Sequence, residues 1–201
     1  MLCVIRVWLE KGDFMRDVLD SYNRVSLEFV GNSNSLHELG LNSKRIEDAA
    51  SKQILDVLGL DDYDVIYTSG NSESFSTILF NCFGNVYSDV DEILSICDLM
   101  GVPVSSDDIY LFSTRDEVMF DARYKHIDMD LDKKYSNLND YDFITIGDYI
   151  PFFGVLLKRK NISIKPLING GKSVTKYRSG TSPTSLIVSF SKLIKNKYKS
   201  I

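Results

Sequence analysis

Cysteine is scarce in this 201-residue chain: there are three, Cys3, Cys82 and Cys97, widely spaced in apolar surroundings. An odd count, with no CxxC pair and no zinc-ligand spacing, predicts neither a disulfide framework nor a metal site. It points instead to a reduced, cytoplasmic setting. Basic excess is absent too. Lys plus Arg number 23 against 28 for Asp plus Glu, a net charge of −5. A general nucleic-acid binder would need a basic face, so nucleic acid is not an expected partner. No long apolar run exists: residues 150–157 form a stretch of eight interrupted by Pro151 and Gly154, against the roughly 20 residues of a membrane span. Residues 1–12 carry Arg6, Glu10 and Lys11 among their apolar positions and show no small-residue cleavage site, which predicts no secretory leader and no membrane partner.

What is present is a globular pattern. Apolar residues make up 44% of the chain, enough for a sizeable core. Helical spacing recurs over residues 14–25, 44–58 and 89–100, and Gly59 and Gly101 stand where the last two should stop. A further helix is expected from Ser182, with Pro183 at its first position and Leu186, Phe190, Leu193 and Ile194 inward. Short apolar segments at 64–68, 118–120, 143–146 and 154–157 read as strands. Helices alternating with such strands predict an α/β fold with a mostly parallel sheet flanked by helices. Apart from 118–120, residues 107–142 are charged and poorly periodic and yield no assignment.

Three polar segments are candidates for chemistry. Tyr67-Thr68-Ser69-Gly70-Asn71-Ser72-Glu73-Ser74 runs from a strand into an apolar helical stretch at 74–80. Such a turn can aim backbone N–H groups and the Ser69 and Ser72 hydroxyls at an anion on a helix N-terminus. It can equally be an ordinary capped strand-to-helix turn. The second is Gly31-Asn32-Ser33-Asn34-Ser35-Leu36-His37-Glu38-Leu39-Gly40, holding one of only two histidines, and the third is Gly170-Gly171 followed by Arg178-Ser179-Gly180-Thr181. Taken singly, the last two are loops, and Arg178 a solvated side chain. The alternating carboxylates Asp128, Asp130 and Asp132 are weak as a metal site. Four lysines in 192–199 suit a helix C-terminus.

In order, these segments resemble the cysteine desulfurases of the class V aminotransferase superfamily, whose pattern runs G-N-P-S-S-x-H-x-x-G, a helix ending in L-G, then F-T-S-G-x-T-E-S. The match holds over the 44 positions 31–74 without a gap, through Leu58-Gly59. Residues Pro166-Leu167-Ile168-Asn169-Gly170-Gly171 to Arg178-Ser179-Gly180-Thr181 resemble the family's P-L-x-x-G-G…R-S-G-T. The resemblance covers about two thirds of the chain. It implies a reduced fold-type I unit of the pyridoxal-phosphate enzymes over 1–201: an N-terminal helical segment at 1–30, a remnant of the large cofactor domain at 31–160, and a loop with terminal helix at 161–201. It implies that Ser69, Asn71 and Ser72 cup a cofactor phosphate. Thr181 would reach the phosphate of a partner subunit in a homodimer. Val118-Met119-Phe120-Asp121-Ala122 resembles a strand ending in V-D-A, which would set Asp121 on the cofactor's pyridine nitrogen.

The resemblance also has gaps. The family's next strand continues into S-x-H-K, whose lysine holds the cofactor; here Tyr141-Asp142-Phe143-Ile144-Thr145-Ile146 continues as Gly147-Asp148-Tyr149-Ile150-Pro151. No histidine lies between His37 and His126 to stack on a cofactor ring, and the spacing from Glu73 to Asp142 is 69 residues, about half of the family's. The persulfide-forming cysteine of the family lies beyond the region matched here, and Cys82 and Cys97 sit on apolar faces. Pyridoxal phosphate is thus the cofactor the resemblance implies, without its covalent anchor, and no catalytic residue is assigned. Three functions remain open: a degenerate desulfurase-like protein acting by binding, to itself or to a related desulfurase; a pyridoxal-phosphate binder of altered mechanism; and a structural interaction protein.

Overall fold

The computed structural model describes residues 12–117, 121–170 and 176–199. Cys3, Gly171 and the strand expected at 118–120 lie outside the described residues. In chain order the elements are α1 (Gly12–Glu28), α2 (Glu38–Leu58), β1 (Tyr63–Thr68), α3 (Asn71–Phe80), β2 (Asn85–Ser88), α4 (Asp91–Met100), β3 (Ile109–Thr114), β4 (Tyr124–Asp128), β5 (Phe143–Ile150), β6 (Phe153–Arg159) and α5 (Thr184–Lys199). The strands form one six-stranded sheet in the order β1-β6-β5-β4-β3-β2. β2, β3, β4 and β5 run parallel, and β6 is antiparallel to both of its neighbours. This is the α/β, mostly parallel arrangement expected.

Helices cover both faces because the central strands are apolar on both sides. On one face Val18, Ile54, Leu58, Ile187 and Phe190 from α1, α2 and α5 pack on Ile144, Ile146, Val155 and Leu157. On the other, Phe75, Ile78 and Leu79 of α3 and Val90, Ile93 and Cys97 beside and within α4 pack on Ile66, Leu111, Phe143 and Leu156. α2 and α4 end at Gly59 and Gly101 in left-handed conformations with φ of 68° and 67°, the stops the sequence signals. No described helix is long and apolar enough to cross a membrane.

The unassigned 107–142 region supplies β3 and β4. Their periodicity is obscured by buried polar residues: Ser113, Thr114, His126 and Asp128 are all within the core. β2 is only four residues long and too short to carry a readable alternation. α3 begins at Asn71 rather than at the expected Ser74, so the polar turn residues form the helix's first turn.

Candidate functional site

The carboxyl ends of β4 and β5 and the start of α3 meet at a cleft of about 260 Å³ lined by Asn71, Arg115, Asp128, Asp130, Lys133 and Asp148, among others. Open α/β sheets gather ligand sites at this edge. Asp128 is its buried centre. Thr145 donates to its Oδ1 at 2.9 Å, the Asn71 carboxamide to the same oxygen at 3.2 Å, and Arg115 Nε to its Oδ2 at 3.0 Å. Burial, with the nearby Asp148 charge adding to it, nevertheless holds the Asp128 carboxyl above the usual carboxylate range, against the pull of Thr145 and Arg115.

Behind Asp128 a polar chain runs into the core. Thr145 Oγ1 is 3.0 Å from His126 Nε2, and His126 Nδ1 is 2.7 Å from Ser113 Oγ. His126 is fully buried, and that burial lowers it to a pKa of about 3. It is therefore a neutral imidazole that satisfies two hydroxyls while its ring sits 5.7 Å edge-on from Phe75.

The turn before α3 closes largely on itself. Thr68 and Ser74 hydroxyls are 2.8 Å apart, and both Ser74 N–H and Thr68 Oγ1 donate to the Gly70 carbonyl. Ser69 N–H donates to Glu73 Oε2 at 2.8 Å, and the Ser72 hydroxyl donates to Glu92 at 2.5 Å. Arg178 is not a solvated side chain: its Nε donates to Glu73 Oε1 at 2.8 Å. Burial would raise Glu73, but Arg178 and Ser69 outweigh it and hold the carboxyl below its ordinary range. The second half of the resemblance is thereby pinned to the first, Arg178 to the turn.

The expected site residues fall in different places. Asn71 is buried at the cleft, whereas Ser69 and Ser72 are exposed on the turn. Asp121 is exposed and lies ahead of β4; the carboxylate that ends that strand beside β5 is Asp128. Sequence reading missed Asp128 because the strand leading to it, Tyr-Lys-His-Ile-Asp, looks polar although His126 and Asp128 point inward. Thr181 is exposed in the loop before α5. His37 is not at the cleft; it caps α2, its Nδ1 accepting from Gly40 N–H at 3.2 Å. Lys158, the next lysine after β5, is fully buried in β6, its ammonium 3.0 Å from Asp64 and donating to the Arg159 and Ile162 carbonyls. Cys97 is buried and Cys82 half-buried, and burial pushes both thiols up, Cys97 to about 11. Among the described residues there is no cluster of three or more His, Cys, Asp or Glu side chains that could hold a metal.

No family model matches the chain. A NifS/IcsS protein homolog of Lactobacillus delbrueckii subsp. bulgaricus is 36% identical over 61 residues, 30% of this chain and 16% of that protein. In fold, a NifS-like protein superposes with a TM-score of 0.77 at 19% identity, covering 91% of this chain and 66% of the other. A pyridoxal-phosphate-bound phosphoserine aminotransferase from Trichomonas vaginalis superposes with a TM-score of 0.63 at 17% identity, over 91% of this chain and 71% of its own. The chain thus spans just under two thirds of the NifS-like structure it matches. Over the 61 matched residues the sequence is similar to NifS-like cysteine desulfurases, and the fold is a reduced fold-type I sheet.

Proposed function

We propose that this chain is a desulfurase-like unit without desulfurase chemistry, acting in the cytoplasm by binding a second copy of itself or a related desulfurase. The occupation of Asp128 carries this reading. A pyridoxal phosphate placed as the resemblance implies would lay its phosphate on the start of α3 and its ring nitrogen on a strand-end carboxylate, with a lysine from β5 holding it. Here the Asn71 carboxamide reaches from the start of α3 straight onto Asp128, and Thr145 and Arg115 take that carboxylate's other positions. The last half of β5 runs Gly147, Asp148, Tyr149 and Ile150, offering a carboxylate where an amine is needed. Lys133, which lines the cleft, is half-exposed and paired with Asp116 at 2.8 Å. The residues present do not fit this cofactor.

The thiols agree. Cys82 and Cys97 are pushed up by burial, which leaves little thiolate for nucleophilic attack on a sulfur-bearing substrate. What the chain retains is a folded surface, on which the exposed Thr181 lies beside Ser182 and Pro183 at the Arg178 loop. Binding is then the use left to the fold, with self-association or pairing with an active homologue as its form.

Mixing the purified chain with pyridoxal phosphate, followed by a thermal-shift and sedimentation measurement, tests this. The expected result is no stabilisation by the cofactor, together with a dimer or a stable complex with a desulfurase. Marked stabilisation of the wild-type chain by pyridoxal phosphate would instead support a cofactor-binding protein of altered mechanism in sulfur or amino-acid metabolism. A monomer that captures no desulfurase would overturn the binding role.

A further inference from the structure

We propose that the tip of the β5–β6 hairpin and the groove beside it form a self-pairing contact, in which Phe152 of one copy seats in the groove of a second. This rests on the self-association reading above and names its surface.

The tip is a two-residue turn, Pro151-Phe152, between strands whose ends pair as Ile150 with Phe153. Proline suits the first position of such a turn, and a positive φ at the second suits glycine or asparagine. Phe152 holds that second position at a φ of 59° and is 87% exposed. Its neighbour Phe153 turns inward instead, 1% exposed and packed on Tyr67 and Phe190. A bulky ring held in a left-handed conformation and left in water points to a use outside the folded chain.

Beside the tip lies a groove of about 170 Å³, lined by Val18, Leu19 and Tyr22 of α1, Pro151 of the tip, and Leu186 and Ser189 of α5, among others. None of its described lining residues is charged. Leu19 and Tyr22 remain 39% and 38% exposed. An apolar cavity of about 150 Å³ takes a benzene ring, so the groove has the size and lining that a phenylalanine side chain needs. Ser189 adds a polar mark. It is 1% exposed, and its Oγ has no hydrogen-bond partner among the described residues. A buried hydroxyl left unpaired calls for a reason. The incoming tip carries the Pro151 and Phe152 carbonyls, acceptors of the kind this hydroxyl lacks.

A second copy is the occupant that this arrangement selects. Ring and groove share one rim, because Pro151 lines the groove and Phe152 follows it in the chain. A two-fold axis beside the tip lets each copy insert its ring into the other, a contact that closes after two copies. One aromatic ring buries about 150–250 Å², and two such insertions fall short of the ~800 Å² per partner of a standard interface. The association is therefore weak and rises with concentration.

Sedimentation equilibrium over a wide concentration range, on wild type, Phe152→Gly and Leu19→Glu, tests the inference. Glycine removes the ring and accepts the φ of 59°, so that variant is expected to fold at least as well as wild type. Glutamate sets a charge at the mouth of the groove. Each variant is expected to dimerise at least ten times more weakly than wild type. An equimolar mixture of the two restores one ring facing one open groove, and is expected to associate more tightly than either variant alone. Dimers that survive both substitutions would overturn this surface while leaving self-association standing. A mixture no tighter than its components would overturn the exchange of rings. A wild-type monomer that still captures a NifS-like desulfurase would overturn the inference and leave the proposed function standing, and one that captures none would overturn both.

Discussion

The turn between β1 and α3 and the far end of β5 meet at the same cleft, and they differ in how closely they follow the pattern the chain resembles. The turn keeps Thr68-Ser69-Gly70-Asn71-Ser72-Glu73-Ser74, yet its polar groups are largely satisfied within the molecule: Thr68 by Ser74, Ser69 N–H by Glu73, Ser72 by Glu92, Glu73 by Arg178. The strand end departs from the pattern and is where strain and unmet hydrogen bonding collect, in Asp148 at φ 62° and in the Asn71 oxygen above Gly147. A turn can thus keep its sequence for packing alone, because serine and glutamate cap a helix as well as they cradle an anion. The residue that faces the turn decides what the turn can hold.

The largest effect that could break this comparison comes from Asp128. Asp128→Ala would leave Arg115, Thr145 and Asn71 without their shared acceptor in a buried setting, and a loss of about 3 kcal/mol is expected in urea unfolding. A loss below 1 kcal/mol would mean that the strand end carries little of the network.

Next in size is a pH effect behind the same strand. Burial keeps His126 neutral in the folded chain down to about pH 3, whereas the unfolded imidazole titrates near pH 6.5. Below pH 6.5 the unfolded state therefore binds a proton that the folded state refuses, and stability falls as pH falls. By pH 5 the loss is about 2 kcal/mol. The raised carboxyl of Asp128 works the other way, since stability there is lost as pH rises through its range. Its window lies nearer the ordinary carboxylate range. Chemical denaturation of wild type and His126→Gln at pH 7 and pH 5 should show the slope only in wild type.

Gly147→Ala comes third, at about 1.5 kcal/mol of destabilisation from overpacking against the Asn71 carboxamide. The cost should largely vanish in an Asn71→Ala background, because the two side chains compete for one space. Additive costs would show that the fit of glycine to asparagine is incidental. The smallest effect belongs to Asp121→Ala. That side chain is exposed, and a change within about 0.5 kcal/mol is expected, in contrast with Asp128.

Much of the fold was legible in the chain itself. The two glycine-terminated helices, β1, the β5 and β6 segments and the last helix stand where spacing puts them, since each carries an apolar face at the period of its element. β3 and β4 were not legible because their buried positions are partly polar: Ser113 and His126 find partners across strands and Thr114 on Asp89 ahead of α4, which no local pattern reports. The site was half legible. The turn was found, and Asn71 with it, but the carboxylate was sought at Asp121, where the sequence carries an Asp-Ala pair, rather than at Asp128. The fit of Asn71 against Gly147 had no local signal, because the two residues are 76 positions apart.

The central claim is that this desulfurase-like chain holds no pyridoxal phosphate on a lysine, Lys133 at the cleft being paired with Asp116. Treating the wild-type chain with pyridoxal phosphate and then borohydride, and reading the intact mass with peptide mapping, tests it most directly. The account predicts the unmodified mass, with at most scattered substoichiometric labelling of surface lysines. A single stoichiometric adduct on one lysine, Lys133 at the cleft wall above all, would contradict it.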